Sequence, residues 1–166
     1  MEQILEKIKS ALNSLDKNRD ISELSEIPVV DNNDSTDANK SATIYRVTFK
    51  KKNITYILSV HLKGILIHIE IKLIFQYEMN NKVKQEKIFD VVNKFNGQVP
   101  GFKAVLEKNK GRNLIVSFRA QALMPSSLNI PFQDYIDLNT NALITSPILF
   151  SAYLNNDNYK HKRITE

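Results

Sequence analysis

The chain has no cysteine and no tryptophan, and it has only four glycines among 166 residues. Without cysteine it can form neither a disulfide nor a thiolate metal site, and no cysteine nucleophile is available. The glycines stand apart, at positions 64, 97, 101 and 111, so no glycine-rich loop could cradle a phosphate. These absences exclude a domain stabilised by disulfides and argue against a nucleotide-dependent enzyme.

Long hydrophobic runs are also absent. The most apolar stretch, residues 65–75, is too short to span a bilayer and carries His68, Glu70 and Lys72. The first nine residues mix charged and apolar side chains, without the uninterrupted apolar region of a signal peptide. We therefore expect a cytoplasmic protein that does not engage a membrane.

The charge is unevenly distributed along the chain, which has a net charge of +5 and a pI of about 9.3. Residues 16–40 contain seven acids and three bases, whereas residues from 41 onward contain nine acids and eighteen bases. We call the residues from 41 onward the basic body. A protein that binds nucleic acid through this basic body is one alternative. Only residues 50–52 and 160–163 are clustered, however, so a solvated lysine-rich surface is the simpler interpretation.

Helical periodicity occurs at the start, the middle and the end of the chain. The spacing i, i+3, i+4, i+7 predicts an N-terminal helix with one apolar stripe, formed by Met1, Ile4, Leu5, Ile8, Ala11, Leu12 and Leu15. A second helix is predicted from about residue 81 to Asn96, where Asn96-Gly97 ends it. The apolar spacing from Phe132 to Leu143 predicts a third helix, and Ser146-Pro147 is typical of the start of a separate short one. Residues 16–41 lack a period and are predicted to form a mobile acidic loop, and residues 155–166 a frayed tail.

Period-two alternation predicts five strands between these helices. A turn at Lys51-Lys52 would pair Phe49 with Ile54, and a turn at Lys63-Gly64 would pair Leu62 with Ile65. A loop at residues 109–111 would pair Leu106 with Leu114. The expected fold is a single α+β domain, residues 1–154, with an antiparallel sheet of about five strands in the order α-β-β-β-α-β-β-α and helices packed on one face.

Few combinations of residues indicate a metal site or a catalytic site. The histidines are His61, His68 and His161, and the predicted register puts His68 opposite Ser59 and diagonal to His61, which makes a weak metal site. Asp134 and Asp137 are a carboxylate pair three residues apart on a predicted helix, and both are expected to face water. No serine lies in a nucleophile-elbow context. We therefore expect no enzyme activity, no metal and no cofactor.

The outward-facing positions of the predicted sheet are more apolar than those of a sheet face that contacts only solvent. These candidate partner-binding residues are Ile57, Leu66, Ile74 and Ile115. Either the N-terminal helix or the C-terminal segment covers them, or they form an exposed patch that binds a protein.

The junction between the second helix and the fourth strand carries a family resemblance. With Val92-Asn93-Lys94-Phe95-Asn96 closing the helix and Phe102-Lys103-Ala104-Val105-Leu106 opening the strand, residues 41–154 resemble the YbjN family and the broader type III secretion chaperone-like fold. This resemblance implies a small cytosolic protein that binds another protein or an extended client segment, often as a homodimer, without catalysis. It gives no reason to place chemistry on Asn93 or Asn96.

The functional expectation is therefore a non-enzymatic, protein-binding, chaperone-like adaptor. Two alternatives remain open from the sequence. One is nucleic-acid binding by the basic body, against which the core positions of most aromatic residues argue, because bases stack on exposed rings. The other is a small carrier of an apolar ligand in a cavity between helices and sheet.

Overall fold

The computed structural model describes residues 2–17, 22–26, 43–63, 65–79, 85–110, 112–125, 127–129 and 131–155. These residues form four helices and six strands. In chain order the elements are α1 (Glu2–Lys17), β1 (Ser22–Glu26), β2 (Thr43–Lys51), β3 (Ile54–Lys63), β4 (Leu66–Glu78), α2 (Gln85–Gln98), β5 (Phe102–Lys110), β6 (Asn113–Pro125), α3 (Phe132–Leu143) and α4 (Ser146–Asn155). None of the four described helices is long and apolar enough to cross a membrane.

All described strands belong to one antiparallel sheet with the order β1-β2-β3-β4-β6-β5. Strands β2, β3 and β4 form a meander, and β6 then lies between β4 and β5. The prediction of an α+β fold built on an antiparallel sheet is confirmed.

One face of the sheet is apolar because its strands alternate in period two. The buried side chains on this face include Phe49, Leu58, Ile71, Ala104 and Phe118 from five different strands. The helices pack against the same face and join it in one core, to which they contribute Ile8, Leu12, Ile88, Phe95, Ile136 and Phe150. The helices therefore cover one side of the sheet.

The predicted order of elements lacks one strand. Strand β1 lies within the segment 16–41 that was predicted to be a loop, and it pairs with the edge of β2. Its sequence, Ser-Glu-Leu-Ser-Glu, has little β propensity, so backbone pairing with a free edge places it in the sheet. The C-terminal helical region forms two helices, α3 and α4, and the second begins at Ser146, where the Ser146-Pro147 pair predicts a separate helix. Residues 18–21, 27–41 and 156–166 lie outside the described residues.

The predicted strand partners are wrong by two residues in each hairpin. Phe49 lies opposite Tyr56 and Leu62 opposite Ile67, and Leu106 lies opposite Val116. A two-residue shift keeps every side chain on its face, so the predicted faces hold although the partners change.

The turn between β2 and β3 shows what sets the register. Lys52 and Asn53 have φ values of 51° and 62°, the left-handed conformation that two-residue hairpin turns require. The turn therefore lies one position later than predicted, and Lys51 becomes the last residue of β2.

The segment around Asn96 ties α2 to the edge strand β5. The Asn96 side chain accepts a hydrogen bond from the Ala104 N–H at 2.7 Å and donates one to the Ala104 C=O at 3.1 Å. Helix α2 continues to Gln98, and the positive φ of 82° falls at Gly101. The prediction that Asn96-Gly97 ends the helix is therefore wrong, because Gly101 supplies the turn and Asn96 links two elements.

An ion pair between a buried lysine and a partly exposed aspartate joins the β2–β3 hairpin to α3. The Lys51 ammonium is buried, pairs with the Asp137 carboxylate and donates to the Thr140 hydroxyl at 3.2 Å. The Tyr56 hydroxyl donates to the Thr140 C=O at 3.1 Å, and burial raises the pKa of Tyr56 to about 12. Asp137 was expected to face only water, but Lys51 ends β2 on the core side and its ammonium reaches α3.

The two partners of this ion pair should differ in their importance for stability. Asp137→Ala leaves an ammonium buried without its counter-charge, which we expect to lower the free energy of unfolding by about 3 kcal/mol. Lys51→Met leaves a carboxylate whose side chain is 45% exposed and can be hydrated, so we expect a loss of about 1 kcal/mol.

Urea unfolding of both variants measures this difference. Asp134→Ala, an exposed carboxylate on the same helix, is the control and should change stability by less than about 0.5 kcal/mol. An equal or larger loss in Lys51→Met would contradict the interpretation.

Candidate functional site

The outer face of the sheet, opposite the core, carries no described helix. Helix α1, one of the two elements expected to cover it, packs on the core side through Ile8, Leu12 and Leu15. Helix α4 also packs into the core, through Phe150 and Leu154. The remaining candidate, the segment after Asn155, lies outside the described residues. Within the described part of the chain the outer face is uncovered.

Three of the four predicted binding residues lie together on this face. Ile57 pairs with Lys72, Ile74 with Ser117 and Ile115 with Gln76. Ile74 is therefore the diagonal neighbour of both other isoleucines, and the three cross β3, β4 and β6 obliquely. We call Ile57, Ile74 and Ile115 the outer stripe. Ile74 is 46% exposed, and the other two are half-buried.

Leu66 does not belong to the outer stripe. It lies eight residues from Ile74 on the same strand, which corresponds to roughly 26 Å at about 3.3 Å per residue. It is 42% exposed, and its diagonal neighbour Leu123, across from His68, is also exposed. The four predicted residues thus occupy two separate parts of the outer face.

An ion-pair network lies between these two apolar parts. The Arg119 and Lys72 side chains each lie 2.8 Å from the same oxygen of Glu107. Arg119 also lies 3.6 Å from Glu70, which accepts a hydrogen bond from Gln121 at 2.6 Å. These five residues, Glu70, Lys72, Glu107, Arg119 and Gln121, join β4, β5 and β6 and are called the ion-pair network.

Glu107 is the residue that both cations of the network contact. It stands at a β-bulge, where the register of β5 shifts between Leu106 and Lys108. The hydrogen bond from Lys72 lowers the pKa of Glu107 to about 2, helped by Ser117 and Arg119 and opposed by burial. Glu107 therefore remains ionised at neutral pH.

The two described histidines face each other across β3 and β4. His61 lies directly opposite His68, with ring centroids 5.5 Å apart. The predicted pairing of His68 with Ser59 is wrong because of the two-residue register shift. Burial lowers the pKa of His61, and His68 and Arg46 lower it further, against a smaller opposing effect of Glu70. The described residues contain no group of three side chains suited to a metal ion, and His161 lies outside them.

The lysine cluster at residues 50–52 does not form one basic surface. Lys51 is buried and paired with Asp137, whereas Lys52 is exposed in the turn. The second cluster, residues 160–163, lies outside the described residues. The described structure therefore gives the nucleic-acid alternative no contiguous basic patch from either cluster.

Sequence reasoning found the outer stripe but missed the ion-pair network. Lys72 and Arg119 stood at outward positions, yet their contact with Glu107 depends on the correct register and on the bulge. A strand partner with opposite charge is a signal only after the register is known.

No protein-family model and no curated protein matches this chain.

The ion-pair network predicts an acid-dependent contribution to stability. The folded pKa of Glu107 lies below its ordinary value of 4.5, so its stabilising effect is present above pH 4.5 and is lost as the pH falls toward 2. We expect the free energy of unfolding to fall over this interval more in the wild type than in Glu107→Gln. The difference should stay below about 1 kcal/mol, because Glu107 is partly exposed and water screens its charge.

Urea unfolding at about pH 6 and about pH 3 tests this expectation. Glu86→Gln, at an exposed position in the first turn of α2, is the control for removing one carboxylate. The same pH dependence in the wild type and in Glu107→Gln would show that the network does not stabilise the fold.

Proposed function

We propose that this protein is a non-enzymatic, chaperone-like adaptor that holds an apolar segment of a client polypeptide on the outer stripe. The observation that supports this proposal is the exposure of Ile74 between two further isoleucines, on a face that no described helix covers. An outward sheet face that only meets water is normally polar along each strand.

The dimensions of the outer stripe favour an extended client segment. Diagonal neighbours on adjacent strands lie about 7–8 Å apart, so the two steps from Ile57 through Ile74 to Ile115 cover roughly 15 Å, or about five residues of extended chain. A segment with apolar side chains at alternate positions would place them along the isoleucines. The ion-pair network beside the stripe holds two acids and two bases, so apolar contact rather than net charge would carry the binding.

The contact between Asn96 and Ala104 argues for binding by side chains rather than by strand addition at β5. A peptide joining that edge would need the Ala104 N–H and C=O, and the Asn96 side chain already bonds both. We therefore place the client across the outer face.

The resemblance to the YbjN family and to type III secretion chaperones adds two elements to the proposal. It implies that the protein works in the cytoplasm and that it forms a homodimer. Sedimentation equilibrium of the purified chain tests the second element, and a monomer at all concentrations would remove it.

Replacing Ile74 tests the outer stripe directly. We expect the wild type to suppress the aggregation of reduced insulin B chain, followed by light scattering. Ile74→Lys places an ammonium at the centre of the stripe, so suppression should require several-fold more protein. Phe89→Lys is the matched control: Phe89 is also 46% exposed, but lies on α2 and outside the stripe, so suppression should be unchanged.

Two results would contradict the proposal. One is a wild type that does not suppress aggregation, and the other is an equal loss in both lysine variants. Tight binding to DNA or RNA that weakens steeply with salt would instead favour the nucleic-acid alternative.

A further inference from the structure

A pocket of about 530 Å³ lies on the core side of the sheet, on the opposite side from the outer stripe. Its walls come from β3, β4 and the region where α3 gives way to α4. The lining residues are Ile54, Leu73, Phe75, Tyr77, Ile144, Pro147, Ile148 and Ser151. Protein cores leave few voids larger than a water molecule, whereas cavities of roughly 300–1,000 Å³ are typical of small-molecule sites.

The shape of the pocket follows from two local features. Phe75 and Tyr77 extend the core face of β4 toward its end, and their rings lie 4.8 Å apart as one aromatic wall. A break at residues 144–145 separates α3 from α4, and Pro147 and Ile148 at the start of α4 line the pocket. Tyr77 and Pro147 are buried, whereas Phe75 and Ile148 are exposed. The pocket is therefore open on one side.

The chemistry of the lining is almost entirely apolar. The Tyr77 hydroxyl donates to the Pro147 C=O at 2.8 Å, which leaves the tyrosine ring as the surface that a ligand would meet. Ser151 carries the second hydroxyl of the lining, and no lining residue is charged. A charged group placed inside would lose its hydration without gaining a partner of opposite charge.

We propose that this pocket binds an uncharged apolar small molecule, of which a medium-length alkyl chain is the representative class. The chain would lie against the aromatic wall and the isoleucine side chains, and a neutral polar end could reach Ser151. This site goes beyond the proposed protein binding, since it uses other residues on the other face of the sheet.

Titration with 1-decanol, followed by NMR of labelled isoleucine methyl groups, tests the proposal. We expect saturable shifts at Ile54, Ile144 and Ile148, which line the pocket. Ile57 and Ile74 of the outer stripe serve as internal references and should not shift. Decanoate, with the same chain and a negative charge, should bind more weakly than 1-decanol because the lining offers no cation.

A matched pair of variants makes the test specific. Ile148→Glu places a carboxylate at the pocket mouth and should weaken 1-decanol binding at least about tenfold. Leu138→Glu is the control, because Leu138 on α3 is 71% exposed, close to the 73% of Ile148, and does not line the pocket. Its affinity should equal that of the wild type. Both positions are exposed, so both variants should fold, and circular dichroism checks this.

Several outcomes would overturn the proposal. They are the absence of saturable shifts, shifts confined to the outer stripe, equal affinity in the two glutamate variants, and tighter binding of decanoate than of 1-decanol. A failure of the pocket proposal would not contradict the adaptor proposal, because the adaptor proposal depends on Ile74 and is tested with a polypeptide client.

Discussion

The contact of three phenylalanine rings holds the described fold together. Phe95, Phe118 and Phe150 are fully buried, with ring centroids 5.4 to 6.0 Å apart, and they come from α2, β6 and α4. Tyr77 of β4 adds a fourth ring, 5.6 Å from Phe150. Because these elements are distant in sequence, the rings provide the long-range contacts that fix both helices on the sheet. The position of α4 in turn defines one wall of the apolar pocket.

Helices cover only one face of the sheet, and the sheet separates two apolar sites that both use strand β4. Ile74 and Phe75 are neighbours in β4, yet one belongs to the outer stripe and the other to the pocket. This follows from the pleat, which sends successive side chains to opposite faces. A small displacement of β4 would therefore move residues of both the outer stripe and the pocket, although the two proposed sites have no residue in common.

The alternation of apolar residues predicted the faces of the strands but not their partners. A shift of two residues leaves Leu58 and Ile71 on the core face, so periodicity alone could not distinguish the two registers. The turn decides the register, and the left-handed conformation of Lys52 could not be read from a lysine. Strand β1 escaped prediction because its pairing depends on a free edge rather than on its own residues. The Lys51–Asp137 ion pair and the pocket depend on distant elements and on the space between them, which a linear pattern does not describe.

The position of β6 in the sheet has a consequence for the order in which the chain folds. Strands β2, β3 and β4 are joined by short connections, so their pairing is local and needs little loop closure. The pairs between β4 and β6 join residues as far apart as Leu66 and Pro125. We expect the addition of β6 to be the slow step. Pairing strands that are distant in sequence costs conformational entropy before the new contacts stabilise the pair. During synthesis, the edge of β4 that later receives β6 stays without a complete partner strand until residue 125 has left the ribosome.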